Sequence, residues 1–297
     1  MTKDNIVLFT KVDAEKLTGD HIVIPDGYTV IDVSAFEDRA DIKSISIPDG
    51  MISIGSGAFA KCSGLRELIL PEGVEAIGIG AFVACVNLSV VSLPGSLLFI
   101  NDGAFAGTNL RIVDIPDSVK KIGTGAFQKC KNLEIVHISK NAQLIGFGAF
   151  AECDKLESIS IPESLPIIVR GVFRGCKSLK TMIIPKSIEQ IGHNAFDSCE
   201  SLISMVIPKN VRGLGMSAFA GCIKLESVVI EEGVEYILNG GFFECTNLKT
   251  ITIPESVHAI GEKVFTGCDS LVIRCSKNSY SQEYAIENNI KFETHIT

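Results

Sequence analysis

Apolar residues recur along this chain at two scales. Over short stretches such as Leu65-Arg66-Glu67-Leu68-Ile69-Leu70 they alternate and are rich in branched side chains, which predicts a short strand with one face buried. Over the whole chain, Phe36, Phe59, Phe82, Phe105, Phe127, Phe150, Phe173, Phe196, Phe219, Phe242 and Phe265 are 23 residues apart at every step but one, and that step, Phe105 to Phe127, is 22. Self-similarity at such a period marks a stacked array. Cys follows the Phe by three residues in nine of the eleven units, as Cys62, Cys85, Cys130, Cys153, Cys176, Cys199, Cys222, Cys245 and Cys268. Three further on stands Leu, or Ile42 once, and the full unit reads A-F-x-x-C-x-x-L-x-x-I-x-I-P-x-x-V-x-x-I-G. The short unit, Ala106-Gly107-Thr108-Asn109-Leu110, reads as one that has lost its cysteine position.

Each part of the unit has a physical reading. Pro48-Asp49-Gly50 and Pro254-Glu255-Ser256 are turn chemistry, with Pro presetting φ. V-x-x-I-G supplies a second short extended piece. A-F-x-x-C predicts one tight turn, a short 3₁₀ or α segment with Phe and Cys pointing inward. No unit buries its apolar faces alone, but stacked units do. The chain is therefore read as one continuous array: residues 1–21 an N-terminal cap starting with a strand around Ile6 to Phe9, residues 22–275 an eleven-unit solenoid, and residues 276–297 a C-terminal cap. The last holds an amphipathic helix at Tyr280 to Asn288 and a strand at Ile290 to Glu293.

This unit resembles the BspA-like class of leucine-rich repeats, and the ending Ser279-Tyr280 to Phe292 resembles that family's closing cap. The resemblance spans residues 22–275. Departures are Arg39 at the first Cys position, Ser139 and Glu231 in place of Pro, and Val172, Gly241 and Val264 in place of Ala. What it implies is a leucine-rich repeat right-handed solenoid of the α/β superhelix class, mainly β with one short helical turn per repeat. It also implies binding rather than catalysis, and a surface or secreted protein, some relatives being adhesins for matrix or plasma glycoproteins.

Composition narrows the alternatives. With 46% hydrophobic and 21% charged residues in 297, the chain can bury a large core and is not disordered. The net charge of -8, without any basic run, argues against nucleic acid or anionic membrane as main partners. No apolar stretch approaches the roughly 18 to 20 residues that span a bilayer, so no membrane insertion is expected. Met1 to Thr10 lacks the apolar region of a signal peptide. Localisation stays open: cell surface or secreted by resemblance, cytoplasmic if the chain is complete as given.

Little in the chain suggests chemistry. Ten cysteines raise disulfides or metal, but with no C-x-x-C pair and nine of them recurring beside Phe they read as a buried ladder of thiols. Cys275, outside the ladder, is expected to be the accessible one. Of His21, His137, His193, His258 and His295, none sits in an H-E-x-x-H or G-x-S-x-G setting, and His137 reads as a solvated surface side chain. Asp26, Asp49 and Glu72 recur after the motif Pro, where turn polarity explains them as well as Ca²⁺ would. The expectation is a protein that is not an enzyme, with no catalytic residues, cofactor or metal.

Two surfaces stand out. The strand spacers form an exposed face of two columns, one running Ser44, Glu67, Val90, Ile112, Ile135, Ser158, Thr181, Ser204, Ser227, Thr250, the other Ser46, Ile69, Ser92, Asp114, His137, Ser160, Ile183, Val206, Val229, Thr252. Ile69, Val90, Ile112, Ile135 and His137 form its most contiguous apolar stretch and are the candidate contact patch for a protein or glycoprotein ligand. The second surface comprises the spacers Leu98, Phe99, Leu144, Phe147, Pro166 and Ile167, which either mark a partner or self-association surface or fold inward where the repeat shortens. An intracellular interaction scaffold is the rival to adhesion.

Overall fold

The computed structural model describes residues 6–295, which fall within two compact units, Met1–Asp154 and Lys155–Thr297. In both, the repeats contribute a first strand from L-x-x-I-x-I, with one exception in the second unit, and a second, two-residue strand from V-x-x-I-G.

In the first unit the second strands form a seven-stranded parallel sheet that takes its members in chain order, from Leu8–Phe9 through Val30–Ile31, Ser53–Ile54, Ala76–Ile77, Phe99–Ile100 and Lys121–Ile122 to Leu144–Ile145. The first strands pair likewise in parallel, His21–Val23 with Ser44–Ser46, Glu67–Ile69 with Val90–Ser92, and Ile112–Asp114 with Ile135–His137. Register shifts by one whole repeat at each step, so every inward residue lands on its counterpart in the next coil. A helix, α1 (Lys11–Glu15), follows the opening strand Leu8–Phe9, begun by a capping box in which Thr10 and Asp13 satisfy each other's backbone N–H.

The second unit repeats this scheme. Ile167–Ile168, Gln190–Ile191, Gly213–Leu214, Tyr236–Ile237 and Ala259–Ile260 make one five-stranded parallel sheet. Ser204–Ile207, Ser227–Ile230, Thr250–Thr252, Val272–Ser276 and Lys291–His295 make the other. The expected closing helix is α2 (Tyr280–Glu287), capped by the Ser279 side chain. Residues 179–184, which the pattern predicts as a strand, are not one; the hydrogen bonds into and out of that segment, at Lys180 and Ile203, are stretched to 3.4 and 3.3 Å.

The phenylalanine column is the core. Phe36, Phe59, Phe82, Phe105, Phe127 and Phe150 are fully buried and stack in parallel with centroids 5.0 to 5.5 Å apart. The 22-residue step from Phe105 to Phe127 leaves no mark on the ladder, its rings standing 5.4 Å apart. Phe9 extends the column into the cap, stacked on Phe36 at 5.5 Å. In the second unit the ladder runs from Phe173 to Phe265 and meets Tyr284 of α2 edge-on at 6.1 Å and 71°. Rings held parallel at such separations are offset, the arrangement their quadrupoles favour.

The A-F-x-x-C turn is present, made as a run of interlocked hydrogen-bonded turns without the 3₁₀ or α segment expected. Amides alternate in direction: Ala58, Ala60 and Cys62 donate within the coil to the carbonyls of Gly55, Gly57 and Phe59, while Gly57, Phe59 and Lys61 donate to Ile79, Ala81 and Val83 of the next. This alternation requires left-handed backbone at two points per turn, Gly57 at φ +62° and Lys61 at +60°. Glycine accepts that conformation freely, but Lys61, Ala84, Lys129 and Glu152 adopt it against a steric penalty. The Gly of I-G has another cause. A Cβ on Gly78 would lie 2.5 Å from the Ser56 nitrogen of the preceding coil.

Beside the rings runs the thiol ladder. Each Cys thiol donates to the carbonyl of the preceding coil's Phe: Cys62 to Phe36 at 3.1 Å, Cys85 to Phe59 at 3.0 Å and Cys153 to Phe127 at 3.2 Å, with the same pattern from Cys199 to Cys268. In the short repeat the cysteine position is not lost. Thr108 fills it, its hydroxyl 2.9 Å from the Phe105 carbonyl and 3.2 Å from the Cys130 sulfur, and the deleted residue falls between Thr108 and Leu110. Arg39, at the first Cys position, reaches the carbonyls of Ala14 and Leu17 at 3.3 Å and is held by Asp41, so it ties the ladder's end to α1.

Candidate binding faces

The cysteines are removed from chemistry by their position. All ten are free and buried, Cys275 included, so the expectation that Cys275 is accessible is corrected: it lies 2% exposed on the strand beneath α2. Burial disfavours the thiolate and pushes Cys62, Cys85 and Cys268 up to about 12 and Cys130 up to about 11. A thiol so protonated is a poor nucleophile and a poor metal ligand.

The acidic column serves the turns. Glu72 accepts from the Gly95 amide at 3.0 Å, and Asp117 accepts from the Lys140 amide at 3.1 Å and pairs with its ammonium. That ammonium holds the Asp117 carboxyl below its ordinary range. Among the described residues there is no group of three or more His, Cys, Asp or Glu able to hold a metal ion, and no helix long and apolar enough to cross a membrane.

The first-strand face of the first unit carries the predicted patch. Val90, Ile112 and Ile135 follow one another in a single column, 51%, 49% and 37% exposed, with Glu67 opposite Val90 on one side and Ile112 directly opposite Ile135 on the other. Ile69 stands in the second column, opposite Ser92 and diagonal to Val90. It borders an open depression of about 340 Å³ shared with Ser44, Ser46 and Glu67. His137 is an exposed surface side chain, and its Nδ1 also contacts the Asp114 carboxylate on the neighbouring strand, which register places directly opposite. His21 likewise meets the Ser44 hydroxyl at 2.5 Å. The patch is thus an aliphatic row beside a polar pair, built by strands one coil apart.

Two pairs of charges flanking this face are joined between coils. Arg111 grips Glu134 with two nitrogens, the shortest contact 2.9 Å, and Lys43 pairs with Asp20 at 2.9 Å. Such exposed pairs contribute little stability.

In the second unit the apolar row occupies the other column, as Ile183, Val206 and Val229, 86%, 52% and 42% exposed, with Val206 directly opposite Val229. These three residues continue the second spacer column of the sequence. On the second-strand face the alternative of inward folding is settled: Phe99, Leu144, Phe147 and Ile167 are 40%, 45%, 59% and 41% exposed.

Comparison with known proteins agrees with this architecture. The model of the BspA type leucine rich repeat region matches residues 15–134 and 143–272, in six copies. Among solved structures, a leucine-rich repeat protein from Bacteroides ovatus is similar over 93% of this chain and 92% of its own, at 25% identity and a TM-score of 0.65. The pneumococcal vaccine antigen PcpA is similar over 94% of this chain and 80% of its own (19% identity, TM-score 0.60), and a leucine-rich repeat protein from Eubacterium ventriosum over 86% and 80% (21%, 0.58); these two share the fold. No curated protein matches. A recurring A-F-x-x-C unit, its stacked parallel strands and a family match over most of its length lead to one assignment: the chain belongs to the BspA-type leucine-rich repeat family.

Proposed function

We propose that the protein is a non-catalytic binding protein that presents the first-strand face of its repeats to a protein or glycoprotein partner, in adhesion or host interaction. The observation that carries this reading is the exposed aliphatic row Val90, Ile112 and Ile135, with Ile69 and His137 beside it, where the flanking Arg111 and Glu134 are paired with each other. Fold alone assigns no function, but apolar side chains left together on a surface mark contact sites. Repeat proteins of this family are not enzymes as a rule. The buried, protonated thiols fit that reading.

The test is binding of the protein to immobilised matrix and plasma glycoproteins, with an Ile112→Ser, Ile135→Ser variant as comparison. The reading expects the variant to lose at least about tenfold in affinity at an unchanged melting temperature, since central contacts dominate an interface. Equal binding by the variant would overturn it.

A second reading, an intracellular scaffold, draws on the ten free cysteines, because disulfides persist in oxidising compartments. Surface labelling and protease shaving of intact source cells separate the two. Labelled, cleavable protein supports adhesion, and protein protected with the cytosol supports the scaffold.

A further inference from the structure

The second-strand face of the first unit holds a different kind of surface. Register places Lys121 between Phe99 on one side and Leu144 on the other, all three on the outward position of adjacent parallel strands. Phe99 and Leu144 are 40% and 45% exposed, and Phe147, three residues beyond Leu144, is 59% exposed. Lys121 makes no ion pair among the described residues, whereas Lys140 in the next repeat is taken by Asp117. An uncommitted ammonium framed by an aromatic and an aliphatic side chain is a site for a carboxylate carried among apolar groups. The aliphatic first-strand row offers no such charge.

Helix α2 in the second unit carries that chemistry. Ser281 and Ala285 bury its inner side, and it packs on the strands Val272–Ser276 and Lys291–His295. Its outer side presents Tyr280, Glu283 and Glu287, spaced three and four residues apart, with Ile286 beside them. Tyr280 and Ile286 are 41% and 58% exposed, the helix contains no basic residue, and neither glutamate has an ion pair among the described residues. Two carboxylates between an exposed tyrosine and an exposed isoleucine complement an ammonium between a phenylalanine and a leucine.

We propose that these two surfaces are the halves of one contact between copies of this chain, with α2 of one copy seated on Phe99, Lys121, Leu144 and Phe147 of another. The two patches differ, so the contact is heterologous: each copy offers both halves, and association continues until geometry closes it. This is separate from the aliphatic row proposed for an external partner, and a mutation in one surface leaves the other intact.

The experiment is sedimentation velocity over a concentration series at low and high salt. Wild type is expected to associate with concentration, and more weakly in high salt because the ammonium–carboxylate pair is screened. Lys121→Glu is expected to weaken association at least about tenfold. A chain that also carries Glu283→Lys and Glu287→Lys, which restores opposite charges, is expected to regain most of it. Melting temperature, followed by circular dichroism, should be the same in all three, since every changed side chain is on the surface. Wild type that stays monomeric at its highest soluble concentration overturns the proposal. So does association that Lys121→Glu leaves unchanged, or that the triple charge reversal fails to restore.

Discussion

The thiol of Cys85 donates to the carbonyl oxygen of Phe59 in the preceding coil, 3.0 Å away, and that oxygen also accepts the amide of Cys62. One carbonyl thereby ties its own turn and the coil above it. Cys85→Ala removes the second tie and a buried sulfur. The expected cost is about 1 to 3 kcal/mol, from a lost hydrogen bond and a small cavity. Denaturant unfolding of the variant measures it, and an unchanged midpoint would mean that the thiol contributes only volume.

Alkaline pH should unfold the protein more steeply than its surface charges would. The folded state keeps Cys62, Cys85 and Cys268 protonated up to about 12, against an ordinary thiol value of 9.0. Above pH 9 the unfolded chain therefore releases protons that the folded chain retains. The stabilisation is complete below pH 9 and falls as pH rises toward 12, at about 1.4 kcal/mol per pH unit for each such thiol. Melting temperature followed from pH 8 to pH 11 checks the slope, and replacing Cys62 and Cys85 together with Ala should flatten it. The same burial makes thiol reagents slow on the native protein and fast in denaturant, when all ten cysteines become available.

Phe82 is fully buried and stacked at 5.2 Å on Phe59 and 5.3 Å on Phe105. Phe82→Ala should cost about 3 to 5 kcal/mol. In a stacked array each coil contacts only its neighbours, so hydrogen exchange should quicken most in the coils around residue 82. Uniform acceleration across the chain would show that the array opens as one.

Ala84 sits at φ +58°, in the left-handed region that a Cβ disfavours. Ala84→Gly should raise stability by about 0.5 to 1 kcal/mol, the relief of strain exceeding the entropy that glycine adds to the unfolded chain. This is the reverse of the usual effect of introducing glycine. A drop in melting temperature would show that the turn stores no strain there.

Period, rather than local propensity, made the fold readable in the sequence. One inward position repeated every 23 residues can be satisfied only by stacking, so the Phe and Cys columns and the two strands per unit followed from spacing. The features that escaped were those that break the period. Phe9 lies 27 residues before Phe36, yet the cap bends it into the ring ladder at 5.5 Å. Thr108 keeps the cysteine's geometry with a hydroxyl, which a search for Cys overlooks. Cys275 is covered by α2, a tertiary contact that no repeat encodes. The proposed binding face was legible to the level of columns. The Asp114 partner of His137 was visible there as a neighbour one unit away, but whether two neighbours bond depends on side-chain reach, which spacing alone does not give.

Tyr284 meets the last ring of its column edge-on, at 71° to Phe265. Each phenylalanine from Phe173 to Phe242 offers the next ring a flat surface, and a tyrosine turned through nearly a right angle offers none. It acts as a chain terminator acts in a polymerisation, using the growing end without leaving a new one. Further coils, or the aromatic column of another molecule, find no template there, so the stack has a chemically defined last member.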